Sequence, residues 1–253
     1  MSQSIDSIPT GFTRSVVGIG TKFGKSTLMQ PQMPQNRRFS SNWLKCESSS
    51  ESDMTLFYRL DCKMPKFVEL AEGNDWEGVV CPKYDGHQRA GRRTTVLQID
   101  VVSKRVVDFS TTILPFVVIT DNALQVLRTS KLTGFRVEPV QIHGIPKGLD
   151  AKSVPKLWEF VVTGDAGLSH PDSGIIVKER CEACRMIRYS AYDHGLKVNE
   201  DTYDGSDFFV VKEYPAHVLV NEKAKNVIES HRLSGAKFIE STMLEWPNGV
   251  FKP

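Results

Sequence analysis

The stretch Val117–Val140, VVITDNALQVLRTSKLTGFRVEPV, decides the fold, because a second version of it occurs 101 residues further along the chain. That version, Val218–Ser241, reads VLVNEKAKNVIESHRLSGAKFIES and aligns with the first over 24 positions without a gap. Five aligned positions are identical, and many others are conservative replacements. Strand–helix–strand units often look alike, but gapless agreement over this length favours duplication of one ancestral unit.

Each copy has the pattern of a strand, a helix and a second strand. The β-branched runs VVI and VLV predict buried strands. Thr120 and Asn221 then offer a side-chain oxygen as helix N-cap, and Gly134 and Gly235 stand where the chain must leave the helix. The residues expected on the buried face of each helix are Ala123, Val126 and Leu127, and Ala224, Val227 and Ile228.

The composition is that of a globular protein, since 40% of the 253 residues are hydrophobic and 25% are charged. No run of about 18 apolar residues occurs, so we expect no membrane-spanning segment. Residues 1–53 hold six of the 32 Lys/Arg and four of the 30 Asp/Glu, which leaves 26 of each from Met54 onward. A nucleic-acid-binding surface needs a positive excess, so this balance predicts no nucleic-acid partner.

Residues 1–53 differ in character from the rest of the chain. They contain eleven serines and the run QPQMPQNRR, and no apolar period is sustained through them. This composition predicts a disordered segment. It is typical of a transit peptide, but a true start at Met54 is an equal alternative, since MTLFYRLDC reads as a first strand.

The five cysteines, at positions 46, 62, 81, 181 and 184, are too few and too irregularly spaced for a secreted disulfide scaffold. They predict a cytoplasmic protein with free thiols or a metal. Ahead of each copy of the repeat, a strand runs into a cysteine turn: GVVCPKYDGH and IIVKERCEACRMIRYS. Both have the outline of a zinc knuckle, although Tyr84 stands where the first would have its second cysteine.

The repeat predicts that the two cysteine turns meet and supply four ligands to a tetrahedral ion. Cys181 and Cys184 form one CxxC pair, and Cys81 with His87 would complete a Cys₃His site for a structural zinc ion. Two alternatives stay open. CEAC could be a turn with two reduced thiols, with His87 a surface residue. It could also be a redox pair, although its flanks look strand-like and such a pair needs a helix N-terminus.

This layout resembles the bacterial double-CxxCG motif family, known best from myxobacteria. The matching residues are Cys81-Pro82 in the first motif and Cys181 to Cys184 in the second, where Arg185 replaces the family glycine. AHVLVNEKAKNVIESHRLSGAKFIES is similar to the family's terminal segment, and the resemblance covers roughly Met54 to Ser241. CPKYDGHQRAGRR, LWEFVVTG and DGSDFF are also similar to strings in uncharacterised planctomycete proteins. The resemblance implies an immunity protein that neutralises a cognate toxin, as some family members do.

Two charged segments predict local structure. QRAGRR, Gln88–Arg93, predicts a solvated turn, and pairing of Arg89 or Arg92 with a buried acid is the alternative. The acidic run NEDTYDGSD, residues 199–207, does not have the spacing of a calcium loop and predicts a solvated loop.

No constellation of catalytic residues stands out. Ser169, His170 and Asp172 are too close in sequence to converge as a triad, and they predict a turn capped by Asp172. We therefore expect a non-enzymatic binding protein, immunity-like, with a protein toxin as partner. The alternatives are a hydrolase or transferase that uses a cleft between two halves, and a zinc-dependent regulatory module.

The fold that these patterns predict is α+β, with residues 54–146 and 147–253 as two pseudo-repeated halves. Each half is expected to have a mainly antiparallel sheet, one or two helices and a knuckle-like cysteine turn, and the second half carries the intact CxxC.

Overall fold

The computed structural model describes residues 55–62, 67–113, 116–246 and 251–252, the last two by their backbone alone. All of these belong to one contact-defined unit, Glu51–Pro253. The predictions made for residues 1–53 and for a start at Met54 lie outside the described residues.

Within those residues the chain forms two α-helices and sixteen β-strands. The helices are α1 (Asp121–Thr129) and α2 (Glu222–Ser230). The strands are β1 (Phe57–Cys62), β2 (Val68–Leu70), β3 (Trp76–Val79), β4 (Arg89–Arg93), β5 (Leu97–Val101), β6 (Phe109–Thr111), β7 (Val117–Thr120), β8 (Phe135–Gly144), β9 (Leu157–Val162), β10 (Gly164–Asp165), β11 (Val177–Arg180), β12 (Ile187–Tyr189), β13 (Phe208–Val210), β14 (Leu219–Asn221), β15 (Ala236–Glu240) and β16 (Phe251–Lys252). Neither described helix is long and apolar enough to cross a membrane.

Two larger sheets form the body of the molecule. The first has the strand order β2-β5-β8-β9-β7-β6, and the second has the order β10-β13-β14-β1-β15. Their neighbouring strands are antiparallel except for β5 with β8 and β10 with β13. Two small sheets, β3-β4 and β11-β12-β16, complete the described strands. The predicted α+β class with mainly antiparallel sheets is thus confirmed.

Both helices begin at the predicted caps. The Thr120 hydroxyl accepts a hydrogen bond from the N–H of Ala123 at 3.2 Å, and the Asn221 side-chain oxygen accepts one from the N–H of Ala224 at 2.9 Å. These bonds satisfy N–H groups that have no partner within the helix. The buried face of α1 is wider than the sequence pattern predicts, because Leu124 is also fully buried.

The central strand in each strand–helix–strand segment comes from elsewhere in the chain. β1 lies between β14 and β15, so Tyr58 pairs with Val220 on one side and Glu240 on the other. β9 lies between β7 and β8 in the same way, and Phe160 pairs with both Val117 and Val137. The later segment is therefore completed by β1, the first strand of the described residues, and the earlier segment by β9, which follows it in the chain.

The turns after the two helices make matching contacts with distant aspartates. The carboxylate of Asp207 accepts hydrogen bonds from the N–H and hydroxyl of Thr133 at 2.8 and 3.1 Å. The carboxylate of Asp108 accepts both bonds from Ser234, each at 2.8 Å. Burial opposes the ionisation of both aspartates, but these and neighbouring hydrogen bonds outweigh it and hold each pKa below its ordinary value.

Glycine is required directly after each of these turns. Gly134 has φ +81° and Gly235 has φ +90°, which is backbone that other residues rarely adopt. A Cβ at Gly134 would overlap the carbonyl oxygen of Phe208, and a Cβ at Gly235 would overlap that of Phe109. The predicted helix exits are confirmed, and both also serve as points of close backbone packing.

The largest hydrophobic cluster draws on both helices and both larger sheets. The Phe160 ring on β9 lies 4.9 Å from Phe208, 5.0 Å from Phe135 and 6.4 Å from Phe109 between centroids. Such aromatic pairs each contribute about 0.5–1.5 kcal/mol beyond the area that they bury. The two larger sheets are therefore joined by a shared core.

Candidate metal centre

Two hairpins carry the four predicted ligands. β3 and β4 pair antiparallel, and the chain between them contains Cys81 and His87. β11 and β12 pair in the same way around Cys181 and Cys184. The N–H of Cys181 donates to the carbonyl of Met186 at 2.9 Å and closes this second turn.

The second turn has an arginine in a backbone conformation that favours glycine. Arg185 has φ +59°, which lies in the left-handed region. A residue with a Cβ adopts this conformation at a cost of about 1–2 kcal/mol. The turn is therefore maintained against a local backbone preference.

The four side chains converge. The Sγ atoms of Cys81 and Cys181 are 3.7 Å apart, and the Sγ of Cys184 lies 3.7 Å from the Nδ1 of His87. One donor atom from each of the four residues lies within 4.8 Å of all the others. Cys81 and Cys181 are buried, while His87 and Cys184 are partly exposed. The four predicted residues thus lie close together and could hold a metal ion.

Two of these separations have the length expected for edges of a tetrahedron around a small divalent ion. Zinc–sulfur bonds of about 2.3 Å and zinc–nitrogen bonds of about 2.0–2.1 Å give S···S edges of about 3.8 Å and S···N edges of about 3.6 Å. The Cys81–Cys181 and Cys184–His87 distances, both 3.7 Å, lie within about 0.1 Å of these values. Three sulfurs and an imidazole also suit zinc far better than magnesium or calcium.

His87 is oriented by a carboxylate on its far side. Its Nε2 lies 3.4 Å from the Oε1 of Glu179, whose Oε2 lies 3.2 Å from the guanidinium of Arg188. A metal-binding histidine usually donates its other ring N–H in this way, which fixes the tautomer and the ring plane. Glu179 was not among the predicted site residues, although it lies on β11 only two positions before Cys181.

The CxxC turn supplies a thiolate. Burial opposes the ionisation of Cys184, but hydrogen bonds from the N–H of Met186 and from Arg89, Cys181 and His87 outweigh it and lower the pKa of the thiol to about 6. For Cys181 the N–H of Cys184 favours the thiolate, but burial and the neighbouring thiols prevail and raise the pKa. The thiolate is the form that binds a metal, so Cys184 is prepared for ligation near neutral pH.

Tyr84, which stands where a second cysteine would complete the first CxxC, is not among the converging groups. Its side chain is 57% exposed, and its ring packs 5.0 Å from the His87 ring. A short 3-10 turn over Asp85–His87 brings the histidine to the cluster instead. Cys62 is also separate, because it lies in the main core, where burial and then Asp61 raise the pKa of its thiol to about 12.

The arginine-rich segment Gln88–Arg93 forms neither the predicted solvated turn nor the alternative, an ion pair between Arg89 or Arg92 and a buried acid. Arg89–Arg93 is strand β4 rather than a solvated turn. The buried acid is present, but its partner is Arg93, which pairs with Glu159 while both side chains are about nine-tenths buried. Arg92 is exposed, and Arg89 donates to the carbonyl oxygen of Cys184 at 2.9 Å. The period of β4 explains this, since residues 89, 91 and 93 share its inner face.

The Ser169–Asp172 segment forms a turn, as predicted, but its cap is His170 rather than Asp172. The Nδ1 of His170 accepts a hydrogen bond from the N–H of Asp172, because the imidazole reaches over the first residues of the turn. The Ser169 hydroxyl donates to Glu213 at 2.9 Å and not to the histidine. The three side chains are therefore committed to local structure.

A pocket of about 360 Å³ lies beside this turn. Its ionisable lining residues include His170, Asp172 and Lys197, which are 41–65% exposed, and the Nζ of Lys197 lies 3.7 Å from the Asp172 carboxylate. The volume is sufficient for a small ligand. Exposed and mutually paired charges do not indicate a particular reaction, so the hydrolase or transferase alternative stays a prediction.

Comparison with known proteins does not assign a function to this site. No family model matches the chain, and a search of the curated proteins finds no significant match.

Proposed function

We propose that this chain is a non-enzymatic binding protein whose two cysteine hairpins are fastened together by one structural zinc ion. The ligands in this proposal are Cys81, His87, Cys181 and Cys184. The observation that carries it is the convergence of four zinc-type donors, from segments about 100 residues apart, within 4.8 Å. With a thiol pair alone, or a lone surface histidine, nothing would require four such donors to converge.

Four protein ligands make a closed coordination shell. Catalytic zinc sites keep one position open for water or substrate, whereas structural sites fill all four. The donors available here fill all four, which supports a structural role and a binding rather than a catalytic function. Reduced thiols at such a site fit a reducing compartment, so the proposal places the protein in the cytoplasm.

The partner in this proposal is a protein toxin. Its support is the resemblance of the cysteine turns and of the terminal repeat to immunity proteins, together with an apolar surface beside the metal centre. Val80 and Tyr84 flank the first turn with side chains that are 67% and 57% exposed. Exposed apolar side chains of this kind are typical contact points for another protein.

We also propose that the two strand–helix–strand segments arose by duplication, followed by exchange of the central strands. The support is a set of matching contacts about 100 residues apart: β1 and β9 as central strands, Asp207 and Asp108 as turn acceptors, and Gly134 and Gly235 as turn exits. In this proposal residues 54–146 and 147–253 are halves that complete each other.

Metal analysis of the purified chain tests the zinc proposal. We expect about one zinc per chain, and loss of that zinc in Cys184→Ser. Cys62→Ser is the matched control, because Cys62 is a free buried thiol outside the cluster. Zinc that stays well below one per chain, or that persists in Cys184→Ser, contradicts the proposal.

Co-expression with toxin genes encoded beside this one tests the partner. We expect rescue of growth by the wild-type chain and its loss in the double variant Val80→Ser/Tyr84→Ala. Met243→Ser removes an equally exposed apolar side chain elsewhere and should leave rescue unchanged. Absence of rescue and of a complex with every neighbouring gene product is the result against an immunity function.

A further inference from the structure

Arg89 is a partly buried cation beside the candidate metal centre, and it has no carboxylate partner among the described residues. It is the first residue of β4, two positions after His87, and its Nη2 donates to the backbone carbonyl of Cys184. Its Nε and Nη1 are buried, and neither has a hydrogen-bond partner among the residues that the structure describes. No carboxylate of those residues lies within ion-pair distance of it.

A guanidinium in this position requires an anion. Arginine does not lose its proton in proteins, so it cannot become neutral to reduce the cost of burial. An unpaired buried charge typically costs several kcal/mol, and natural structures therefore pair such charges. The inner-facing arginine at the other end of the same strand follows this rule, since Arg93 pairs with Glu159.

The proposed metal centre would supply negative charge beside Arg89. Three thiolates, one neutral imidazole and one divalent ion sum to a net charge of −1. The carboxylate near the site, Glu179, is already balanced by Arg188 and contacts His87. With a divalent ion bound, the centre would carry one excess negative charge, and Arg89 is a cation that contacts it.

We propose that Arg89 is the built-in counter-cation of a three-thiolate, one-imidazole metal centre, held beside it by the bond from its Nη2 to the Cys184 carbonyl. This inference rests on the proposed metal site. It assigns Arg89 a positioning role: the arginine holds the Cys184 turn through the backbone carbonyl and stabilises the thiolates that bind the ion. It also means that the ligand class is a soft divalent ion that keeps all three cysteines deprotonated.

Cobalt and zinc titration of three variants tests the role of Arg89. Arg89→Met keeps most of the side-chain volume without charge, Arg89→Lys keeps the charge, and Arg92→Met removes an exposed arginine of the same strand. The probe is Co²⁺, followed by thiolate-to-cobalt charge-transfer absorption and then displaced by Zn²⁺. We expect Arg89→Met to weaken metal binding by about 10–100-fold. Arg89→Lys should recover part of this loss, and Arg92→Met should bind like the wild type.

Thermal unfolding of the metal-free proteins separates this role from ordinary packing. Without metal, the Arg89 charge is opposed by no more than the Cys184 thiolate, so metal-free Arg89→Met should melt close to the metal-free wild type. With metal bound, the same variant should melt lower than the wild type. A residue that merely packs would lower both transitions, and that result overturns the inference.

The titration results distinguish the role of Arg89 from the metal site on which it depends. A wild-type chain that gives no charge-transfer band with Co²⁺ refutes the metal site itself. A wild-type chain that binds Co²⁺, with Arg89→Met binding equally tightly, leaves the metal site intact and refutes the counter-cation.

Discussion

Replacement of Gly235 by alanine tests how tightly the helix-exit turns pack against distant strands. Gly235 has φ +90°, and a Cβ there would lie 2.8 Å from the Cγ2 of Val107 and nearer still to the carbonyl oxygen of Phe109. The N–H of Phe109 donates to the backbone carbonyl of Ser234 at 2.9 Å. β6 therefore cannot move away from the turn without breaking this hydrogen bond.

The expected loss of stability has two parts. The left-handed backbone costs a residue with a Cβ about 1–2 kcal/mol. The overlap with β6 adds about 1–3 kcal/mol, the usual cost of overpacking a closely packed site. We therefore expect Gly235→Ala to lower the free energy of unfolding by about 2–5 kcal/mol, and Gly134→Ala to do the same through Phe208.

Gly148 is the matched control. It has φ +80°, but no atom of the described residues lies within 4 Å of a Cβ built on it. Gly148→Ala should therefore cost only the backbone part, about 1–2 kcal/mol. Urea unfolding of the three variants at saturating zinc measures the difference. Equal losses in Gly235→Ala and Gly148→Ala would refute the close packing between the turn and β6.

Three further results are expected. Chelation of the proposed zinc ion should loosen only residues 76–93 and 177–189, because Cys81, Cys181 and Cys184 form a small cluster apart from the main cores. Hydrogen exchange that rises across the whole chain contradicts this. Burial and then Arg59 lower the pKa of His217 to about 4, against about 6.5 when unfolded. The unfolded state therefore binds more protons between these values, and stability should fall by about 3 kcal/mol as the pH drops through that window. In His217→Asn the free energy of unfolding, measured with urea in the metal-free protein, should lose this dependence on pH. A pH dependence equal to that of the wild type contradicts the prediction. Fragments 54–146 and 147–253 should each fail to fold alone and should assemble when co-expressed, since each lacks the central strand that the other supplies; a folded single fragment refutes strand exchange.

The local elements could be predicted because short-range chemistry specifies them. Thr120 and Asn221 cap their helices through bonds to residues three positions away, and Gly134 and Gly235 are needed for a backbone angle at one position. Such features depend on a few neighbouring residues, which a linear pattern contains.

The partners of the charged residues could not be predicted in the same way. Nothing near Arg93 in the sequence indicates Glu159, which is 66 positions away, and Arg89 and Arg92 looked equally suited to it. These arginines are divided between the inner and outer faces by the alternation of side chains along β4. The sequence does not indicate that strand clearly, because glycine at position 91 is unfavourable in strands.

The amino-acid sequence alone determined two strand–helix–strand segments with their caps and exits, and it named four residues able to bind one ion. The tertiary structure decided that the central strands come from outside each segment, and that Cys81, His87, Cys181 and Cys184 lie within 4.8 Å of one another. The reason is that caps and turns act over a few residues, whereas strand pairing and ligand convergence depend on the free energy of the whole packed chain.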